Sequence, residues 1–336
     1  MITKATVMHD DVFFKSNSGN AKKAVGKIMQ TNVSNKILLG ATQGIGNAIL
    51  TTPLIQALVS LKLQVDIITD GFVRGAESIF KGMPDVRLIR ETDIDPDDKY
   101  LLGLQTLWPY PGLERYVSQV RIAGNFFDMW KDELLVHEVE VNMSLAYSLK
   151  YDGEIPPLYC NSEAVTVEKD IPRKVIGIHV CRKYTHQFYA NRRLYNPILI
   201  AAALYAEGFD VAILGHSDAI TPEVKEAYPN LNFFDGLSLP HTAGIIKQLD
   251  CMINEDSGIM HVTAAMDTPQ VTVFGPTSWV KNRAYSDKAM LVRKDVDCLT
   301  CQYTERQGNC FANICMDVSP SYIVKCVKEL LEKFPK

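Results

Sequence analysis

The stretch from Leu249 to Thr277, LDCMINEDSGIMHVTAAMDTPQVTVFGPT, constrains the fold more than any other part of the chain. Cys251, Met252 and Ile253 read as a buried strand, Asn254 to Gly258 as a polar turn, and Ile259 to Met266 as a short helix. Asp267-Thr268-Pro269 ends that helix, and Gln270 to Phe274 reads as a second strand. Two strands joined by so short a helix make one βαβ unit of a parallel sheet, with the turn at the edge where such sheets bind ligands. Ser257-Gly258 at the helix start offers free backbone N–H groups at the positive end of a helix dipole, which suits a phosphate. His261 follows one turn later, near the same mouth. The expectation is a docked nucleotide diphosphate.

The same rhythm runs through the rest of the chain, twice. Its 336 residues give length for about two domains. In the first run, strands are expected at Lys36–Leu39, Val65–Thr69, Val86–Ile89 and Tyr100–Gln105, and helices at Ala48–Leu61, Asn125–Leu135 and Glu138–Leu149. A Pro-rich, patternless stretch from Tyr151 to Pro172 reads as a linker. Strands then return at Lys174–Val180, Asp210–Leu214 and Leu231–Phe234, with helices at Pro197–Glu207 and Pro240–Leu249 ahead of the opening unit. Ser319-Pro320 caps and starts a last helix, ending at Phe334. Two such runs imply two doubly wound α/β domains, with ligand between them at the carboxyl ends of both sheets. The expected division is an N-terminal extension over 1–34, a first domain over 35–160 and a second over 161–336.

Composition narrows the setting. The chain is 47% hydrophobic and 22% charged, as ordinary globular proteins are. Residues 1–34 lack the apolar segment of a signal peptide, and no apolar run approaches the roughly 20 residues of a membrane span. The expected location is the cytoplasm, with the inner membrane face in reach. A net charge of −4 gives no global pull toward nucleic acid.

Gly40, Gly44 and Gly46 after the first strand resemble the glycine turn of short-chain dehydrogenases. That reading fails, because no Tyr-x-x-x-Lys pair exists in the chain and Pro53 interrupts the helix that would pack behind a cofactor. The glycines therefore count as a turn that lets backbone approach a ligand, with Asn47 opening the helix. An amide takes no proton at neutral pH, so Asn47 can orient an acceptor hydroxyl but not deprotonate it. Arg182, Lys183, Arg192 and Arg193 follow the first strand of the second run, as a solvated loop or as a phosphate clamp at the same sheet edge as Asp256. Cys298, Cys301, Cys310 and Cys315 cluster with the spacing of a closed structural zinc site. Disulfides and packed thiols are the alternatives.

Together, Asp256-Ser257-Gly258-Ile259-Met260-His261-Val262-Thr263-Ala264-Ala265, Thr268-Pro269 and Phe274-Gly275-Pro276-Thr277 closely resemble the heptosyltransferase-type glycosyltransferases of family nine. Gly44-Ile45-Gly46-Asn47 with Thr51-Thr52-Pro53-Leu54, and the cysteine cluster with Ser319-Pro320, extend the resemblance to nearly everything after residue 34. It implies a GT-B fold, two Rossmann-like domains facing each other across a cleft. The first domain would bind acceptor through the Gly44 and Gly46 loop, and the second a nucleotide-sugar donor. Donor-binding residues would be Arg192, Gly215, Asp256, Ser257, Gly258, His261 and Thr277. The implied reaction inverts the anomeric centre without a catalytic metal, which fits a diphosphate leaving group met by positive charge and aligned N–H donors.

One departure stands out. Many members carry Asp, taken as the base, where this chain has Asn47. Asp70 and Glu91, each just after a first-domain strand, are the substitute carboxylates suggested by position. The usual donor of the family is ADP-heptose and the usual acceptor the lipopolysaccharide core, with a UDP-linked donor and other surface glycans also open. A divergent transferase could serve hydroxymethylated phage DNA instead, although the acidic Glu91–Asp98 stretch does not favour it. A catalytically inert nucleotide-sugar binding protein and a GT-B-shaped epimerase are the other readings.

Overall fold

The computed structural model describes residues 34–41, 44–73, 75–95, 97–108, 110–123, 136–165, 173–180, 191–215, 221–302, 304, 310 and 312–336. The expected Asn125–Leu135 helix, Arg182, Lys183 and most of the 1–34 extension lie outside these residues.

Two all-parallel sheets form the two halves. The first has five strands, β1 (Lys36–Gly40), β2 (Gln64–Ile68), β3 (Val86–Ile89), β4 (Leu102–Gln105) and β5 (Val120–Ile122), in the order β3-β2-β1-β4-β5. The second has six, β6 (Val175–Val180), β7 (Asp210–Gly215), β8 (Asn232–Asp235), β9 (Cys251–Glu255), β10 (Gln270–Phe274) and β11 (Ala289–Arg293), in the order β11-β10-β9-β6-β7-β8. Strand order reverses between β1 and β4 in the first sheet and between β6 and β9 in the second. Outside the carboxyl ends of such strand pairs, connecting loops diverge and leave a crevice.

The first helix, α1 (Ile45–Ser60), starts three residues earlier than the sequence suggests and runs through Pro53. Proline cannot donate to the Ile49 carbonyl one turn back, but the Thr52 hydroxyl does so at 2.7 Å, which keeps that buried oxygen satisfied. Apolar side chains on nearly every side of α1 are buried, because it lies between its sheet and helix α2 (Glu138–Ser148) and also touches the second domain. Buried Asn142 fixes α2 in place. Its Oδ1 accepts from Leu107 N at 3.0 Å, beyond β4, and its Nδ2 donates to Leu50 O on α1 at 3.4 Å.

The second half continues with α3 (Pro197–Ala206), α4 (Pro222–Ala227), α5 (Leu239–Ile246), α6 (Gly258–Ala265), α7 (Trp279–Asn282) and α8 (Pro320–Lys333). The opening unit is as read, with β9 and β10 adjacent and parallel around α6. Ser319 caps α8, its hydroxyl accepting from Tyr322 N at 3.3 Å. The segment near Asn161 ties the halves together, since Asn161 N donates to Ile79 O and Glu163 N to Pro240 O. Among the described residues no helix is long and apolar enough to cross a membrane.

Candidate functional site

The site is where the two strand-order reversals face each other. Helix α1 begins at Gly44 and α6 at Ser257, and neither N-terminus has a side-chain cap or an acidic residue in its first turn. Their free N–H groups and dipole ends therefore point into one crevice unneutralised. The approach is close enough to demand glycine. A Cβ on Gly258 would lie 2.8 Å from Ile45 Cβ, and one on Gly46 would lie 2.9 Å from His261 Cδ2. The Gly44–Asn47 loop and the Asp256–His261 turn, read separately in the sequence, are thus brought into contact.

On the second-domain side, Asp256 pairs with Arg192, Oδ2 to Nη1 at 3.4 Å. Just before it, Glu255 is fully buried and its Oε1 lies 2.8 Å from His179 Nδ1, joining β9 to β6. His261 is buried, and desolvation pushes its imidazole down to about 4, so the ring is neutral at neutral pH. Its Nδ1 has no protein partner, and the same holds for the Thr277 hydroxyl after β10, which is 1% exposed. Buried polar atoms rarely go unpaired, so two orphans flanking the same strand ends are what a polar ligand would leave behind. Gly215 ends β7, in register with Val180 and Asp235, at the same edge.

On the first-domain side, Asn47 Nδ2 donates to both carboxylate oxygens of Glu138, at 2.9 and 3.1 Å. Sequence reasoning does not single out Glu138 as a site residue. An acidic residue at a helix start signals only a favourable dipole interaction, and nothing local shows that it meets a residue 91 positions away. Burial drives its carboxyl up to about 7; the Asn47 amide and the Trp108 side chain lower it, and the Asp256 charge raises it. Burial wins over both donors.

The residue before it, His137, caps α2 through Nδ1, which accepts from Val139 N at 3.2 Å, leaving Nε2–H to donate to Arg283 O across the cleft at 2.8 Å. Desolvation holds this imidazole down at about 3. Tyr285 packs on the ring, centroids 4.9 Å apart.

The two carboxylates suggested by position, Asp70 and Glu91, lie beside each other. Asp70 is an exposed corner residue whose Oδ2 accepts from Glu91 N at 2.6 Å. Glu91 accepts from the Tyr110 and Tyr116 hydroxyls and pairs with Arg115 at 2.8 Å. The two tyrosine hydroxyls hold its carboxylate below the usual range. Cys298, Cys301, Cys310 and Cys315 form no disulfide, and Cys315 is buried against Gly275. Among the described residues no three His, Cys, Asp or Glu side chains are gathered closely enough to hold a metal. Burial, and then the neighbouring Cys298, Cys301 and Cys310, push the Cys315 thiol up to about 11.

Comparison with known proteins agrees with the geometry. The family model described as Glycosyltransferase family 9 (heptosyltransferase) matches residues 162–311. Lipooligosaccharide heptosyltransferase 2 of Haemophilus influenzae is 24% identical over 161 residues, 45% of this chain and 44% of that protein. The chain therefore matches less than half the length of that relative. The structure of E. coli ADP-heptose lps heptosyltransferase II superposes with a TM-score of 0.62 at 17% identity, covering 89% of this chain and 98% of that one. The iron-containing dodecameric glycosyltransferase TibC of enterotoxigenic E. coli gives 0.59 at 15%, over 90% and 77%. The resemblance read from the motifs is thus shown: residues 162–311 form a glycosyltransferase family 9, heptosyltransferase-like region, and the chain as a whole has the GT-B fold.

Proposed function

We propose that this chain is an inverting glycosyltransferase that moves a heptose or related sugar from a nucleotide-diphosphate donor to an acceptor hydroxyl, in lipopolysaccharide or other surface-glycan synthesis. The observation that carries this reading is the uncapped N-terminus of α6 with the partnerless Nδ1 of His261 beside it. A diphosphate held there would meet N–H donors and a positive dipole end. Arg192, already beside Asp256, supplies positive charge at the same turn. As the bond from the anomeric carbon to the diphosphate breaks, negative charge grows on the leaving oxygen, where aligned donors stabilise it most. A neutral His261 can hydrogen-bond the donor without adding a charge that must be desolvated. Thr277 offers a hydroxyl to the same ligand.

Relatives described as heptosyltransferases, one named for ADP-heptose, make ADP-heptose the first donor to test and the lipopolysaccharide core the first acceptor. The helix N-terminus and Arg192 supply the positive potential at the diphosphate from the chain's own groups. The work would be done without leaving the water phase, at the membrane face if the acceptor is lipid-linked.

The test is ADP binding by titration calorimetry together with ADP release from ADP-heptose. Wild type should bind ADP, and His261→Ala should lose at least about tenfold in affinity, the equivalent of one lost hydrogen bond in a buried site. Unchanged affinity in that variant would remove His261 from the donor site. ADP binding with no release of ADP from ADP-heptose, whatever acceptor is supplied, would favour the inert binding protein.

A further inference from the structure

Transfer to a hydroxyl needs a group that takes the acceptor's proton, and Asn47 cannot. The carboxylate that Asn47 holds can. We propose that Glu138 is the general base of this chain and that Asn47 is its positioning residue. The proposal rests on the transferase reading above.

Geometry carries the argument. Glu138 opens α2 and is gripped by Asn47 from the loop after β1, with the Trp108 side chain from the loop after β4 also favouring its charged form. Those two loops flank the strand-order reversal of the first sheet, and Asp256, which acts on Glu138 through its charge, flanks that of the second. Glu138 therefore stands where both ligand-binding edges meet. Among the described residues no Lys or Arg pairs with it. A cation would hold the carboxylate ionised and weakly basic, whereas the Asn47 amide orients it and leaves lone pairs open. The titratable groups around it fit this role. His137 and His261 are neutral at neutral pH, and Asp256 is paired with Arg192. Burial then brings the carboxyl close to neutral pH, the most effective range for a general base.

A structural strut between α1 and α2 would not need a charge. Glutamine would still accept from Asn47 through its one carbonyl oxygen, without the cost of burying an anion.

In the step itself, the acceptor oxygen forms a bond to the anomeric carbon as its proton passes to a Glu138 oxygen. The bond from that carbon to the diphosphate breaks, and its electron pair leaves with the nucleoside diphosphate. Glu138 then returns the proton to solvent.

The experiment measures ADP released from ADP-heptose in the presence of lipopolysaccharide-core acceptor, from about pH 5.5 to about pH 9. It compares wild type, Glu138→Gln, Asn47→Asp and the double variant, with ADP affinity and melting temperature recorded for each. Glu138→Gln should lose roughly 10²- to 10⁴-fold in kcat, keep its ADP affinity, show no fall in melting temperature, and lose the acid limb near neutral pH. In the double variant, the carboxylate brought in by Asn47→Asp can accept from the amide brought in by Glu138→Gln and act as base. It should recover at least about tenfold over Glu138→Gln, with an acid limb at lower pH.

A Glu138→Gln enzyme within about threefold of wild type, or one that is slow but keeps the wild-type acid limb, overturns the assignment while leaving the transferase reading intact. A wild type that binds ADP and never releases it from ADP-heptose fails the transferase reading, and the assignment falls with it.

Discussion

Two glutamates of the first domain, one just after a strand and one at a helix start, are in opposite electrostatic situations. Glu91, at the end of β3, is partly exposed and held by two tyrosine hydroxyls and Arg115, so its carboxylate is favoured. Glu138, at the start of α2, is 6% exposed and held by the Asn47 amide, and its burial disfavours the carboxylate. Both accept hydrogen bonds. The difference lies in desolvation and in whether a cation is near, and it separates a carboxylate that fixes a loop from one able to exchange a proton near neutral pH.

The largest expected contrast is catalytic. Against the loss of about 10²-fold or more expected of Glu138→Gln, Glu91→Gln should change kcat by less than about threefold, because its carboxylate is already engaged by Tyr110, Tyr116 and Arg115. Comparable losses in both variants would erase the distinction.

The next contrast is in stability against pH. Glu138 has its folded-state value raised from 4.5 to about 7, so the folded chain binds the proton more tightly than the unfolded chain does. Its contribution is favourable below about pH 4.5 and is lost as pH rises through about 7. Glu138→Gln should therefore be more stable than wild type above neutral pH, by up to about 3 kcal/mol before relaxation of the site is counted. The advantage should vanish near pH 5. The buried imidazoles act in the other direction. His137 and His261 are lowered from 6.5, so their stabilisation is complete above that pH and is lost as pH falls toward about 4. Chemical denaturation of wild type and Glu138→Gln at several pH values separates the two trends, since the variant keeps both histidines. A variant less stable than wild type at about pH 8 would mean that Asn47 and Trp108 favour the ionised form more than burial opposes it.

How far these contrasts are legible in the sequence depends on distance along the chain. Strands β1, β6, β9 and β10 show as buried apolar runs that end in turns, and the Ser257-Gly258 helix start shows what it can bind. Helix α4 escapes such a reading because Pro222–Ala227 buries nothing and so has no apolar stripe, despite Thr221 and Pro222 as start signals. The three residues of β5, Val-Arg-Ile, are too short and too exposed to register as a period. Strand β11 completes the sheet only through its pairing with β10. In the site, Asn47 announces a missing base but not its replacement. Position along a strand points to Asp70 and Glu91, whereas the cleft carboxylate comes from a helix start. Only the packing of α2, through Asn142 and His137, delivers it.

The smallest expected effect concerns Glu91 itself and has the opposite sign to that of Glu138. Its folded-state value is lowered, chiefly by the Tyr110 and Tyr116 hydroxyls, so its contribution to stability is present above the ordinary carboxylate value of 4.5 and is lost as pH falls through the lowered one. Glu91→Gln should thus be slightly destabilised at neutral pH, and the difference should shrink as acid protonates wild-type Glu91. Because the group is open to solvent, added salt should shrink the neutral-pH difference further. Thermal melts at about pH 7 and about pH 3, each at low and high salt, give the comparison. A Glu91→Gln chain that gained stability at neutral pH, as Glu138→Gln is expected to, would mean that burial governs both carboxylates and that the tyrosine hydroxyls do not set the state of Glu91.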